Sequence, residues 1–523
     1  MSLEEFLLNL HFDIDKASVP NWEVDWEDAP LPYKLYRGLP EVPFSLEVPL
    51  TLEELEPPIK PDLRKIGHFL WYVYGLTQVS QSVFSLDSTA VSANLVQSYR
   101  RFAPSGGALY PNELYVYLKI EDLPVGVYHY DVAHHRLVLL REGNFDSYLA
   151  RALGNRCDVS SCFGSVFVST LFWKNFFKYN NFSYRLQGLD AGVVIGQLLE
   201  VAKRFGFATG VYFQFLDRAI NHLVGLSEQE ESVYAVIPLS VEPTIWSTNG
   251  NEIDITSAEL CRELTAIQPN HYVRSKRVKE YPMLTKLNEA SLLETTQTFR
   301  FIEAKESLNF DGQAEALPQV NRLSYDLASA CRKRFSLDMD FVLGKVSQIQ
   351  LATLMQEATA SFSYRNDLDG ANWKNEPRVS LYGCLYNVEG IPNGAYYYDS
   401  TTHELRKVHP GDYRLQLQSG MSLDNVNLLQ VPLCLHVAGD RESFRTALGY
   451  RGYRIQQMEA GMLVQRLLLA ASALGMGGHP LLGFDANLCD EIYKMEPHGL
   501  TSLIQIPIGP YRHRPWLKGS LKS

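Results

Sequence analysis

The sequence predicts an α+β protein that contains one domain written twice. First, Tyr184-Arg185-Leu186-Gln187-Gly188-Leu189-Asp190-Ala191-Gly192 recurs 269 positions later as Tyr453-Arg454-Ile455-Gln456-Gln457-Met458-Glu459-Ala460-Gly461. The shift holds without a gap through Gly206 and Gly475, Phe215 and Phe484, and Pro238 and Pro507. Upstream, Leu123-Pro124, Gly126, Tyr128 and Tyr130-Asp131 match Ile391-Pro392, Gly394, Tyr396 and Tyr398-Asp399 at a shift of 268. A repeat this long is a whole domain, not a solenoid unit. Second, 523 residues exceed what a single core organises. Third, helical and strand patterns mix without strict βαβ alternation, which favours α+β over a doubly wound sheet. Two copies on one chain can form internally the interface that a homodimer forms between subunits.

Residues 1–60 are rich in proline, from Pro20 to Pro58, and read as an extended arm wrapping over a core. The first domain is expected over 61–241. Its first helix starts at Leu63, with Ile66, Phe69, Leu70, Val73 and Tyr74 on one face and Gly75 at the end. Glu113 to Ile120 alternates as a strand, Gly126–Tyr130 and Arg136–Leu140 suggest a hairpin, and Val166 to Thr170 is a further strand. A helix from Asp190 to Phe205 stops at Gly206, and the strand Val233 to Leu239 closes the copy. Residues 242–319 are polar, charged and partly helical, long for a connection, and read as a linker that packs as an arm. The second domain, 320–523, repeats the order. It has a helix around Val346 to Glu357, strands near Ser380–Tyr386 and Ala395–Tyr398, a helix Glu459–Leu474, then Gly475 and the strand Ser502–Ile506.

Composition narrows the function. A net charge of −11 argues against nonspecific nucleic-acid binding. The seven cysteines are odd in number and lack CxxC spacing, so neither a zinc box nor a secreted disulfide framework is expected. The start, MSLEEFLLNL, has no basic region and is a poor secretory signal; the most apolar run, Met462 to Gly478, contains Gln465 and Arg466 and is too short for a bilayer. A cytoplasmic protein without a membrane segment is expected. His134-His135 lacks a third ligand at sensible spacing, so no metal site is expected. HExxH, P-loop, GxSxG and GxGxxG motifs are all missing.

The sharpest string is Arg100-Arg101-Phe102-Ala103-Pro104-Ser105-Gly106-Gly107-Ala108-Leu109-Tyr110-Pro111. A Pro-Ser-Gly-Gly turn entering a strand exposes N–H groups, a hydroxyl and a surface without Cβ bulk, which a planar polar ring can approach. The same string also serves as an ordinary tight turn before a strand. Arg332-Lys333-Arg334-Phe335-Ser336 and the terminal Tyr511-Arg512-His513-Arg514 carry basic groups that suit either a phosphate or solvent.

These strings resemble the signature of the nitroreductase-like flavoproteins, specifically the SagB-type dehydrogenases that oxidise azoline rings in ribosomal peptide biosynthesis. The resemblance extends through Trp173-Lys174, Lys178-Tyr179, Asp190-Ala191-Gly192, Thr209-Gly210, Leu474-Gly475-Met476-Gly477-Gly478 and Pro507-Ile508-Gly509, covering most of the chain outside the arm and linker. It implies two nitroreductase-like domains in an intrachain pseudo-dimer, with flavin mononucleotide (FMN) at the interface. Each such site takes an Arg-rich loop, a Gly-rich loop and a terminal basic pair from one domain, and the Pro-Ser turn from the other. Copy one keeps Pro104, Ser105, Gly106 and Gly107, with Arg101 beside them, but its entry segment offers only Lys34 and Arg37. Copy two has Asn372-Trp373-Lys374-Asn375 in place of the turn, yet keeps Arg332, Arg334, Ser336, Gly475, Gly477, Gly478, Arg512 and Arg514. The surviving parts make one hybrid site. Arginine suits a phosphate dianion because it donates bidentately and stays charged. Ser336 adds a hydroxyl, and the glycines open a path for a backbone N–H to the ring edge.

The resemblance also places a Lys-Tyr pair, here Lys178 and Tyr179, at the flavin. Oxidising an azoline removes a carbon-bound proton while hydride leaves, so a partly deprotonated base is needed. Lysine in an apolar pocket can be one, and Phe172, Trp173, Phe176, Phe177 and Phe182 are expected to wall it. At the 269 shift the pair faces Ala447 and Leu448, so only copy one carries it. A small-molecule or peptide substrate is implied, with no partner subunit needed for the site and further homo-oligomerisation open. An NAD(P)H-dependent nitroreductase or quinone reductase, and a degenerate flavin-fold scaffold without turnover, remain the alternatives.

Overall fold

A computed structural model describes residues 1–53, 59–84, 94–244, 254–302, 313–360, 364–369 and 378–513. The first copy supplies β1 (Glu41–Pro43), β2 (Leu76–Phe84), β3 (Asn94–Arg101), β4 (Asn112–Leu118), β5 (Gly126–Asp131), β6 (Arg136–Glu142), β7 (Gly164–Leu171), β8 (Ala208–Thr209) and β9 (Glu231–Ser240). The second supplies β10 (Ala314–Ala316), β11 (Ser380–Leu385), β12 (Gly394–Asp399), β13 (Glu404–Pro410), β14 (Leu433–Asp440), β15 (Gly477–Gly478) and β16 (Leu500–Gly509). The strands form two seven-stranded sheets, ordered β1-β6-β5-β4-β7-β9-β8 and β10-β13-β12-β11-β14-β16-β15, while β2 and β3 pair only with each other. The two permutations are identical, and their ladders are antiparallel. The protein is α+β, with the duplicated order expected.

The central strands β4, β9 and β16 are buried at every position. On one face they meet an apolar core that runs through both copies. On the other, each sheet has its own smaller cluster, around Tyr115 and Phe167 in copy one and Tyr382 and Cys434 in copy two. At the centre the helix Ser183–Arg204 crosses the helix Gly449–Ala473. The rings of Tyr184 and Tyr453 stack at 6.1 Å and 12°. A Cβ on Gly192 would stand 1.9 Å from the Met458 carbonyl oxygen, and one on Gly461 would stand 2.1 Å from that of Leu189. The 269 shift turns each contact into the other, which is the signature of an isologous interface. The two copies are therefore related as subunits of a dimer, inside one chain.

The two long helices end where expected, before Gly206 (φ +67°) and Gly475 (φ +75°). They begin earlier, at Ser183 and Gly449 instead of Asp190 and Glu459. Polar residues such as Arg185, Gln187, Arg454 and Gln457 break the apolar pattern there, yet all are buried. Arg185 Nη2 donates to the Leu503 carbonyl at 3.0 Å, and Arg451 pairs with Asp217 at 2.7 Å.

The first 60 residues are not wholly extended. Ser2 caps a helix Leu3–Phe12, accepting from Glu5 N at 3.1 Å while Glu5 reaches back to Ser2 N, and a short helix Ile14–Ala17 follows. Farther on, β1 pairs with β6. The segment 242–319 contributes helices Ser257–Glu263 and Pro282–Ala290, and its β10 joins the second sheet through β13. Among the described residues no helix is long and apolar enough to cross a membrane.

Candidate active site

A cavity of about 1100 Å³ opens between the copies. Copy one lines it with Pro104, Ser105, Gly106, Gly107, Lys178, Tyr179 and Asp190; copy two does so with Arg334, Ser336 and residues 479–487. Leu10, Phe12 and Ile14 of the N-terminal helices complete a wall.

The turn is held from below. Ser105 Oγ accepts from Tyr110 N at 2.9 Å and donates to Asp190 Oδ2 at 2.5 Å, and Gly106 N donates to Asp190 Oδ1 at 3.1 Å. Gly107 takes φ +63°, and a Cβ there would meet Tyr179 Oη at 2.4 Å and Lys178 Nζ at 2.9 Å. The missing side chain lets the Lys-Tyr pair sit against the turn. Arg101 does not line the cavity. Its guanidinium is buried 4.0 Å from the Tyr74 ring centroid and donates to the Pro32 carbonyl. Its neighbour Arg100 lines the cavity instead, donating from Nη2 to the Arg334 carbonyl at 2.5 Å.

Lys178 and Tyr179 end the helix Trp173–Tyr179. One turn earlier Lys174 is buried, donating to the Tyr110 carbonyl at 3.0 Å and pairing with Glu113. Lys178 is half-buried, with Nζ 4.8 Å from the Tyr179 ring centroid and 5.5 Å from that of Trp26. Burial lowers its pKa, and burial followed by the charge of Asp190 pushes Tyr179 up to about 12. The aromatic wall is a correction: only Phe182 of the five rings lines the cavity. Phe176 and Phe177 pack instead against Trp22, Trp26 and Tyr281, and Phe172 against Tyr281. The wall opposite the turn comes from the N-terminal helices.

The basic run of copy two divides. The helix Leu327–Lys333 ends, and Arg334 turns inward at its C-cap. Arg334 Nε donates to the Phe102 carbonyl at 3.3 Å, while Nη1 is buried and makes no hydrogen bond among the described residues. Burial, then the charge of Arg100, lowers its pKa to about 10. Arg332 points away, half-exposed, 3.9 Å from Asp326. Gly475, Gly477 and Gly478 lie outside the lining. Gly475 is exposed at the helix end, and a Cβ on Gly477 would strike Leu337 at 2.3 Å, so that glycine makes room for a core leucine. The residues that follow, His479 to Gly483, form the wall. Arg512 is exposed, its N donating to the Asp340 carbonyl at 2.9 Å, and it does not line the cavity. Arg514 and Asn372–Asn375 lie outside the described residues.

The donor set fits FMN. Two adjacent guanidiniums, one with an orphaned buried nitrogen, present charge to an anion. The turn lines the cavity, with Leu186 seated against Gly106 and the Lys-Tyr pair against Gly107, and the cavity has room for a three-ring system.

At the counterpart position, reached by the 269 shift, the described residues pair with one another. Glu459 stands where Asp190 does and accepts from Tyr364 Oη at 2.7 Å and from Arg378 Nε at 2.9 Å. Arg378 also pairs with Asp369 at 2.6 Å. Val211 bridges to Asn366, and Asp367 accepts from Phe213 N at 2.8 Å and from Arg156 at 2.9 Å. Residues 211–213 thus pair with 366 and 367 where 480–482 line the cavity. Lys34 is buried against Glu231 at 2.6 Å, and Arg37 stacks 4.7 Å from the Tyr272 ring centroid.

Comparison with known proteins agrees with the duplication. The Nitroreductase family model matches residues 82–239 and 382–509, more than half of the chain. The chain is 32% identical over 142 residues to the trifolitoxin-processing protein TfxB of Rhizobium leguminosarum bv. trifolii, covering 25% of this chain and 37% of that protein. It is 26% identical over 131 residues to a protein assigned as a nitroreductase in Methanocaldococcus jannaschii, covering 25% of this chain and 64% of the other. The chain thus spans less than two thirds of the length of either curated relative. The crystal structure of a protein assigned as a nitroreductase from Anabaena variabilis matches 98% of this chain and 99% of its own, with a TM-score of 0.73 at 20% identity. That likeness speaks to the fold.

Proposed function

The chain belongs to the nitroreductase family, and from that premise we propose that it is an FMN-dependent oxidoreductase of the SagB type, oxidising azoline rings in a peptide or related substrate. One observation carries the proposal: the Pro-Ser-Gly-Gly turn and the Lys-Tyr pair of one copy line a single cavity with an arginine of the other that has a buried, unbonded nitrogen. The likeness to a trifolitoxin-processing protein supports a peptide substrate.

Bound FMN supplies a two-electron acceptor for hydride. Arg334, with Arg100 beside it, would hold the phosphate, with Ser336 adjacent, and the Ser105–Gly107 turn would flank the ring. Lys178 in its neutral form takes the proton lost from the ring carbon, and burial favours that form by lowering the lysine's pKa. Tyr179 keeps its proton at any working pH and can donate a hydrogen bond to the substrate. The Arg378–Glu459 pair, at the position where Asp190 holds the turn in copy one, supports one cofactor per chain.

The test is the visible spectrum of the purified chain, its flavin-to-protein ratio, and turnover of a synthetic thiazoline-containing peptide. A yellow protein that oxidises the peptide is expected. Flavin rapidly bleached by NADH, with the peptide untouched, would favour the nitroreductase alternative. A colourless chain unable to take up FMN would favour a scaffold.

A further inference from the structure

Resting on the flavin reading, we infer that Asp190 is a positioning residue that sets whether Ser105 gives or takes a hydrogen bond at the cavity face. Asp190 lies under the turn, nine-tenths buried, and its hydrogen bonds go to Ser105 Oγ and Gly106 N. A serine hydroxyl has one proton and two lone pairs. Here the proton goes to Asp190 and one lone pair accepts from Tyr110 N. With Asp190 ionised, Ser105 therefore offers the cavity only a lone pair. Protonating Asp190 makes its own O–H the donor to Ser105 Oγ. The serine proton is then released to point at whatever occupies the cavity, while Gly106 N still holds the carboxyl group. One proton on Asp190 thus reverses the polarity of Ser105.

Burial without a cation is what brings this proton into range. The carboxyl pKa rises to about 7, with Ser105 and Gly106 opposing the rise. From the neighbouring elements, Tyr179 and Tyr74 feel its charge, and burial raises both. Lys178 on the same wall is lowered by burial. Arg334 faces the cavity from copy two and stays charged near neutrality. His11 and His479 also line the cavity, and burial lowers both. Copy two supplies the contrast: Glu459, at the same helix position, is paired with the Arg378 guanidinium, whereas no cation pairs with Asp190 among the described residues.

The experiment follows the visible absorption of FMN bound to the full chain between about pH 5.5 and 8.5. We expect one spectral transition in that range. Asp190→Asn should lose it, because an amide donates to Ser105 at every pH. Ser105→Ala should lose it with Asp190 intact, and Lys178→Ala should keep it. A pH-invariant wild-type spectrum, or a transition surviving in Asp190→Asn, would overturn the inference. Should Asp190→Asn fail to fold, a transition retained in Ser105→Ala would overturn it equally. A chain that takes up no FMN would instead sink the flavin reading beneath it.

Discussion

Burial gives Lys178 what a general base needs, since it disfavours the ammonium form and leaves more free amine near neutral pH. Because that form alone accepts a proton, wild-type turnover should rise with pH through the lysine's lowered pKa. Lys178→Ala should keep full FMN occupancy and lose about 10²–10⁴-fold in turnover of a thiazoline peptide. Lys178→Arg should not rescue, because guanidinium stays protonated. A parental rate in Lys178→Ala would return this lysine to the role of a wall. The arginines separate just as sharply. Arg334→Ala removes a charge-assisted hydrogen bond and should cost about 1.5–3 kcal/mol of FMN affinity, whereas Arg332→Ala should cost nothing measurable. Titration of apoprotein with FMN measures both. Sequence alone placed the two as equals, two positions apart. Only the end of the helix at Lys333, which turns Arg334 inward, tells them apart.

The helices carry the duplication. Gly192 and Gly461 lie where backbone meets backbone, so Gly192→Val should cost about 1–3 kcal/mol in chemical denaturation, as overpacking does. Undiminished stability would mean that the copies are not held as described. The strands and the Gly206 and Gly475 stops were legible because alternation and helix-ending glycines are local signals. The early turns of both long helices were not. Arg185 looks like a solvent position until the second copy's Leu503 carbonyl accepts its guanidinium, and Gln187 until Phe172 and Asn175 accept its amide. The N-terminal helix had a readable capping box in Ser2 and Glu5, but the proline-rich stretch behind it pointed to an extended arm. At the site, the Pro-Ser-Gly-Gly turn and the Lys-Tyr pair were legible as motifs. Gly477 of β15 was not, because the Leu337 it makes room for lies far away in sequence. Asp190 stood in the repeated string throughout, and only its contact with Ser105 reveals a purpose.

At the scale of the molecule, the two copies have diverged in complementary ways. One position is a cavity lined by a turn, a lysine and an arginine with one buried, unbonded nitrogen; among the described residues, the other holds the Arg378–Glu459 pair. Arg378→Ala would strand a buried carboxylate and should cost about 3–5 kcal/mol of stability, while leaving the FMN content unchanged. Loss of flavin without loss of stability would show that this pair serves a cofactor instead. The central claim is that one chain builds one complete flavin site without a partner. It is tested most directly by native mass spectrometry of the FMN-loaded protein diluted until only monomer remains. A single FMN retained on each monomer is the predicted result. Two FMN per chain, or flavin that leaves as a dimer dissociates, would contradict it.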